Sequence, residues 1–197
     1  MYLIYVEYVK NMVATSSIRF NLGSYTVSFD TGIVDDYDEK ELTPVNLERK
    51  DETPKGIITT KYTIYKAIVT NKAKDDCAFV QLWKYDRLMS IEEKRKLYED
   101  STLSIPLQGN WQSSTHPYLI AGMEGLVGQL KPPEKRDYIN LGTHCKARLR
   151  DDYVYVGSYW PDEKHRHFSV WCSLISTYPW VGGAKDILDS LEVRITT

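Results

Sequence analysis

Histidines, carboxylates, thiols and hinge glycines carry most protein chemistry, and their spacing decides whether this chain can hold a metal, activate a nucleophile or cradle a phosphate. Asp162, Glu163, His165 and His167 fall close together after Pro161. On an extended segment residues i and i+2 point the same way, so the imidazoles of His165 and His167 could share one metal, with Asp162 as carboxylate ligand. The competing reading is a solvated turn with an incidental His pair. Asp36 and Asp38 bracket Tyr37 in the D-x-D spelling by which sugar-nucleotide transferases hold a divalent ion and a diphosphate. That motif needs the end of a strand in a nucleotide-binding α/β unit, and no βαβ pattern precedes it, so a solvated acid cluster is preferred.

His144 stands beside Cys145, but neighbours on a strand face opposite sides, so this base cannot activate this thiol. A buried structural thiol is expected. The glycines at 122, 125 and 128 match neither G-x-G-x-x-G nor a P-loop, which leaves nucleotide binding unsupported. Ser190 reads as a helix-terminal hydroxyl bonding backbone. No cofactor is expected.

Trp111, Trp160 and Trp180 fall near expected loops or strand ends. Clustered Trp and Tyr make protein or carbohydrate surfaces when they are not core anchors. The hypothesised partner surface therefore combines Tyr159, Trp160, Tyr178 and Trp180 at one end of a sheet.

The bulk properties bound these readings. A net charge of −2, with Lys and Arg spread along the chain, leaves no electrostatic footprint for nucleic acid. Cys77, Cys145 and Cys172 are far apart without CxxC spacing, so reduced thiols are expected rather than a disulfide framework or zinc site. No apolar run reaches the roughly 18 residues of a membrane span. The opening MYLIYVEYVKNMV lacks a basic leader and a small-residue cleavage site, so no signal peptide is recognisable, and Met1 and Met12 are both reasonable starts. Fifteen Tyr and five Trp against four Phe favour half-buried sheet surfaces, where a ring packs and its polar edge stays wet.

The elements that must position these residues follow from periodicity. Ile18, Phe20 and Leu22, then Tyr25, Val27 and Phe29, alternate on either side of Gly23-Ser24 and predict a hairpin. Residues 34–55 are acid-rich and punctuated by Pro44 and Pro54, and read as a surface loop. IITTKYTIYKAIVT and CAFVQLWKY form a second antiparallel pair. Ser90 and Glu93 match a capping box, predicting a helix from Ile91 to about Ser101. Residues 102–117 read as loop, and YLIAGMEGLVGQL as a bent strand pair, because three glycines cost a helix about 1 kcal/mol each. Residues 143–178 divide into three strands in a meander. Ala184, Ile187, Leu188 and Leu191 then mark one helix face, and Val193 and Ile195 alternate as a closing strand.

This layout resembles the PsbP-like superfamily through LGSYTVSFDTG, like that family's opening hairpin, the strand-rich CKARLRDDYVYVGSYW, and the terminal AKDILDSLEVRI, like its closing helix and strand. The resemblance implies a central antiparallel sheet of about six or seven strands flanked by helices, and usually no catalysis. The expectation is a single α+β domain over residues 1–197, with 1–17 as an N-terminal extension or extra strand. Its expected role is a binding or accessory module for a protein or small-molecule partner. The alternative is a metal-dependent hydrolase or glycosyltransferase-type enzyme using Asp162, His165 and His167, or Asp36 and Asp38.

Overall fold

The structure, a computed structural model, describes residues 17–30, 37–54, 56–71, 76–101, 112–132, 134, 137–141, 145–149, 153–161 and 167–196. In chain order the strands are β1 Ser17–Leu22, β2 Tyr25–Asp30, β3 Tyr37–Thr53, β4 Gly56–Asn71, β5 Cys77–Tyr85, β6 Gln112–Ile120, β7 Met123–Lys131, β8 Tyr138–Leu141, β9 Cys145–Arg148, β10 Val154–Tyr159, β11 Val170–Ser176 and β12 Glu192–Ile195. Helix α1, Ile91–Ser101, follows β5, and a π-helical turn, Trp180–Ala184, leads into helix α2, Lys185–Ser190.

Seven strands form the main antiparallel sheet in the order β3-β4-β5-β11-β10-β7-β6. A three-stranded sheet, β1-β2-β12, packs on one face of it. Its alternating side chains Ile18, Phe20, Leu22, Tyr25, Val27 and Phe29 are buried against Ala67, Val80, Leu82 and Leu174. Helix α2 shares that face, burying Ile187 and Leu188 beside Leu191. Gly157 of β10 is what lets Leu188 approach, since a Cβ there would collide with the leucine side chain. The opposite face is covered at one end by the β8-β9 hairpin, through Ile139 and Ala147 against Ile68, Phe79 and Ile175. At the other end Met89 and Leu97 cover Tyr85, Trp160 and Trp171.

Several expected elements form as read. The β1-β2 turn places Gly23 at φ +66°, and the β6-β7 turn places Ala121 and Gly122 at +52° and +75°, the positive-φ pair of a tight hairpin. Helix α1 opens on the capping box: Ser90 Oγ accepts from the Glu93 N–H at 3.2 Å, and Glu93 Oε2 accepts from the Ser90 N–H at 2.8 Å. The expected apolar face of α2 is buried and hands the chain to β12, which pairs with β2.

The α+β expectation is overturned. The described residues are mostly β, with twelve strands against two helices and one π turn, in antiparallel sheets of three, seven and two strands. The reason lies in what covers the main sheet: a second sheet and a β hairpin supply most of the apolar cover, while α2 is under two turns long and α1 carries a thin apolar face. The surface loop expected at residues 34–55 is also corrected, because Tyr37–Thr53 is an edge strand paired with β4 along its length. Its charged residues suit a ribbon whose two faces are both solvated. The loop expected at 102–117 becomes strand from Gln112, and the three-strand meander breaks up because β9 pairs with β8 instead of β10. No helix among the described residues is long and apolar enough to cross a membrane.

Candidate functional site

The four aromatic residues proposed as a partner surface do not share one. Tyr159 is fully buried and donates its hydroxyl to the Leu191 carbonyl at 3.3 Å, on the face covered by α2. Trp160 is buried on the opposite face against Tyr85, with the Lys94 ammonium 5.1 Å from its ring centre. Tyr178 is buried, and Trp180 alone of the four is half-buried, packed on Tyr118 and Tyr155 at 5.9 and 5.3 Å.

Of the metal candidates, Asp36, Asp162 and His165 lie outside the described residues, as do His144 and Trp111. Asp38 and His167 are exposed, and no group of three or more potential ligands occurs among the described residues. Cys77 and Cys172 are buried and form no disulfide with each other, and burial pushes the Cys172 thiol up, away from the nucleophilic thiolate. Gly125 serves close packing, since a Cβ there would lie 2.7 Å from the Ser158 carbonyl oxygen. Ser190 has the backbone role expected of it: its hydroxyl donates to the Asp186 carbonyl at 2.6 Å and accepts from the Asp30 N–H at 2.8 Å.

A concave feature among the described residues lies elsewhere, on the corner formed by β3, β4 and β5, where a hollow of ≈ 450 Å³ opens beside the β1-β2 turn. Residues opposite each other in an antiparallel ladder share a face, so strand register places the side chains in rows. One row runs Asn46, Thr63, Lys84 across the three strands. The next runs Glu48, Lys61, with Asp86 beyond the end of β5. Tyr65, two residues further along β4, closes the side toward the small sheet.

Each member is held in place. The Thr63 hydroxyl donates to Asn46 Oδ1 at 2.7 Å, which turns the amide NH₂ of Asn46 away from that contact. Asp86 Oδ1 accepts from the Lys61 N–H at 3.2 Å, while the Asp86 N–H donates to the Lys61 carbonyl at 3.0 Å. Glu48 lies 3.7 Å from the Lys50 ammonium, and Lys84 sits 5.0 Å from the Phe168 ring centre. Tyr65 packs on Tyr25 at 6.3 Å and on Gly23, where a Cβ would meet the Tyr65 ring at 2.6 Å. Leu47, Tyr62 and Tyr85 also border the hollow, and Tyr62 stacks on Trp83 at 5.3 Å and contacts Tyr85 at 5.6 Å, which stiffens the floor. Burial there raises the pKa of the Tyr85 hydroxyl.

None of these lining residues stood out in the sequence as chemistry. The available signal was the alternation of Lys61, Thr63 and Tyr65 with Tyr62 and Ile64, which marks β4 as having one face open to polar contact. No family model, curated protein or solved structure matches the chain.

Proposed function

We propose that this protein is a binding module whose ligand seats in the hollow on the β3-β4-β5 corner. The observation that carries the proposal is the convergence of six polar residues, three tyrosines and Leu47 on a concavity of ≈ 450 Å³, within the size range of small-molecule sites. All the donors and acceptors except Asp86 stand on strands, and Asp86 is tied to Lys61 by backbone and side-chain hydrogen bonds, so little ordering accompanies binding.

The test is a chemically diverse small-molecule screen read by amide shifts of the isotope-labelled protein. Hits are expected to move the amides of residues 46–48, 61–65 and 84–86 together, and Tyr65→Ala is expected to suppress those shifts while the rest of the spectrum stays folded. Hits that map to another surface, or a screen with none at this corner, would refute the assignment.

A further inference from the structure

The geometry points to a neutral, polyhydroxylated ligand for this hollow: a carbohydrate, held as a short stretch of glycan chain. The inference rests on the binding reading above and adds the ligand's chemical class.

Charge is the first discriminator. The two rows hold Lys61 and Lys84 against Glu48 and Asp86, so the formal charges cancel within a patch three strands wide. Lys61 stands between the two carboxylates along its row. Cross-strand neighbours lie about 5 Å apart at Cβ, so an anion seated against Lys61 also meets Glu48, a cation seated against Glu48 also meets Lys61, and Lys84 has Asp86 two residues further along the chain. Neither sign of ligand gains a net field from this floor.

Hydrogen-bond capacity is the second. Lys61, Lys84 and the Asn46 amide NH₂ offer donors, whereas Glu48, Asp86 and the Thr63 oxygen offer acceptors. The Thr63 proton is already committed to Asn46, which leaves its lone pairs for an incoming donor. Donors and acceptors therefore alternate over neighbouring positions of one surface. A hydroxyl both donates and accepts, so adjacent hydroxyls on one ligand can bridge an ammonium and a carboxylate at the same time. Ligands that only accept, or only donate, leave half of these groups unsatisfied.

The aromatic wall is the third. Tyr65 is half-buried, clamped by Gly23 and Tyr25, and supplies an apolar body with a polar tip at one end of a polar floor. A pyranose ring has matching parts: a C–H face that packs on a ring and a hydroxylated edge that meets the rows. The hollow is open to solvent rather than enclosed, which leaves room for the rest of a chain beyond the rings it holds.

The experiment titrates the labelled protein with maltotriose, cellotriose, mannotriose and chitotriose at millimolar concentration, alongside inorganic phosphate, glutamate and spermidine. At least one trisaccharide is expected to shift the amides of residues 46–48, 61–65 and 84–86 and to bind at least about tenfold tighter than any charged probe. Its affinity is expected to change little from low to high salt, because screening acts on net charge interactions. Asn46→Ala and Tyr65→Ala, each checked for an intact spectrum, are expected to weaken it about tenfold or more. Tighter binding of a charged probe, or a steep salt dependence, would overturn the carbohydrate class. If no trisaccharide moves these amides but the wider screen finds compounds that do, the class fails and the binding site stands. If nothing moves them, both fall.

Discussion

Replacing Glu93 with Gln separates the charge of one ion pair from the helix cap it shares. Arg87 donates to both carboxylate oxygens of Glu93, at 3.1 and 2.6 Å, and the same carboxylate closes the capping box by accepting from the Ser90 N–H. Gln keeps a carbonyl for the Ser90 contact and gives up the charge. The Arg87 hydrogen bonds, opposed by partial desolvation and aided by Ser90, hold the Glu93 carboxyl down from 4.5 to about 2. Full conversion of that difference would credit the pair with about 3 kcal/mol. The two side chains keep 29% and 36% of their exposure, however, and solvent screening reduces the contribution to about 1 kcal/mol. A carboxyl held below its ordinary value stabilises the fold above pH 4.5, and that contribution fades as pH falls from there to about 2. Urea melts of wild type and Glu93→Gln should therefore differ by about 1 kcal/mol at neutral pH, and the difference should close as pH approaches 2. An equal gap at neutral and acid pH would show that the pair's charge contributes nothing and that the amide merely packs worse.

Ser190→Ala removes an acceptor for the Asp30 N–H and a donor to the Asp186 carbonyl, uncoupling α2 from the end of β2. A loss of about 1–2 kcal/mol is expected in denaturant melts, with a loss near zero ruling out the hydroxyl as a structural tie. Gly23→Ala places a side chain at φ +66° and against the Tyr65 ring, which should cost about 2 kcal/mol from backbone strain and crowding together. Because the same ring walls the hollow, the substitution should also displace the Tyr65 resonances. Unchanged Tyr65 resonances in a folded variant would remove Gly23 from the account of the site.

What could be read from the chain depended on how many faces of an element water touches. Strands β1 and β2 bury every second residue and expose the rest, so Ile18, Phe20, Leu22, Tyr25, Val27 and Phe29 spell out their own hairpin. Helix α1 was legible from its cap, a local device that needs no knowledge of the rest of the fold. Strand β3 was not, because from Thr43 to Lys50 every residue is exposed, and the one short alternation, Val45-Asn46-Leu47-Glu48, buries neither side. It is a strand because β4 offers it a ladder, a long-range circumstance that composition cannot report. The reading of helices around a sheet failed for a related reason: the β1-β2 hairpin was visible, but neither the pairing of β8 with β9 nor the placing of such hairpins on the sheet's faces is written locally.

The candidate site was hidden by register rather than by composition. A search for rare chemistry singled out tryptophans and histidines, yet Trp160 and Tyr159 went into the core, where large rings repay burial most. The residues that line the hollow are common polar types whose meaning arises only once three strands are aligned. That alignment turns on a bulge in β3: Leu42 faces Lys66, but Val45 faces Ile64, so one extra residue is accommodated between them, beside Pro44, whose missing N–H suits a break in the ladder. Before the bulge Glu39 and Glu41 share the hollow's face of the sheet; after it, Asn46 and Glu48 do. With an unbroken ladder the parity would not change, and Val45 and Leu47 would stand where Asn46 and Glu48 now meet Thr63 and Lys61. One irregular position in an edge strand thus decides whether this corner presents an apolar or a hydrogen-bonding surface.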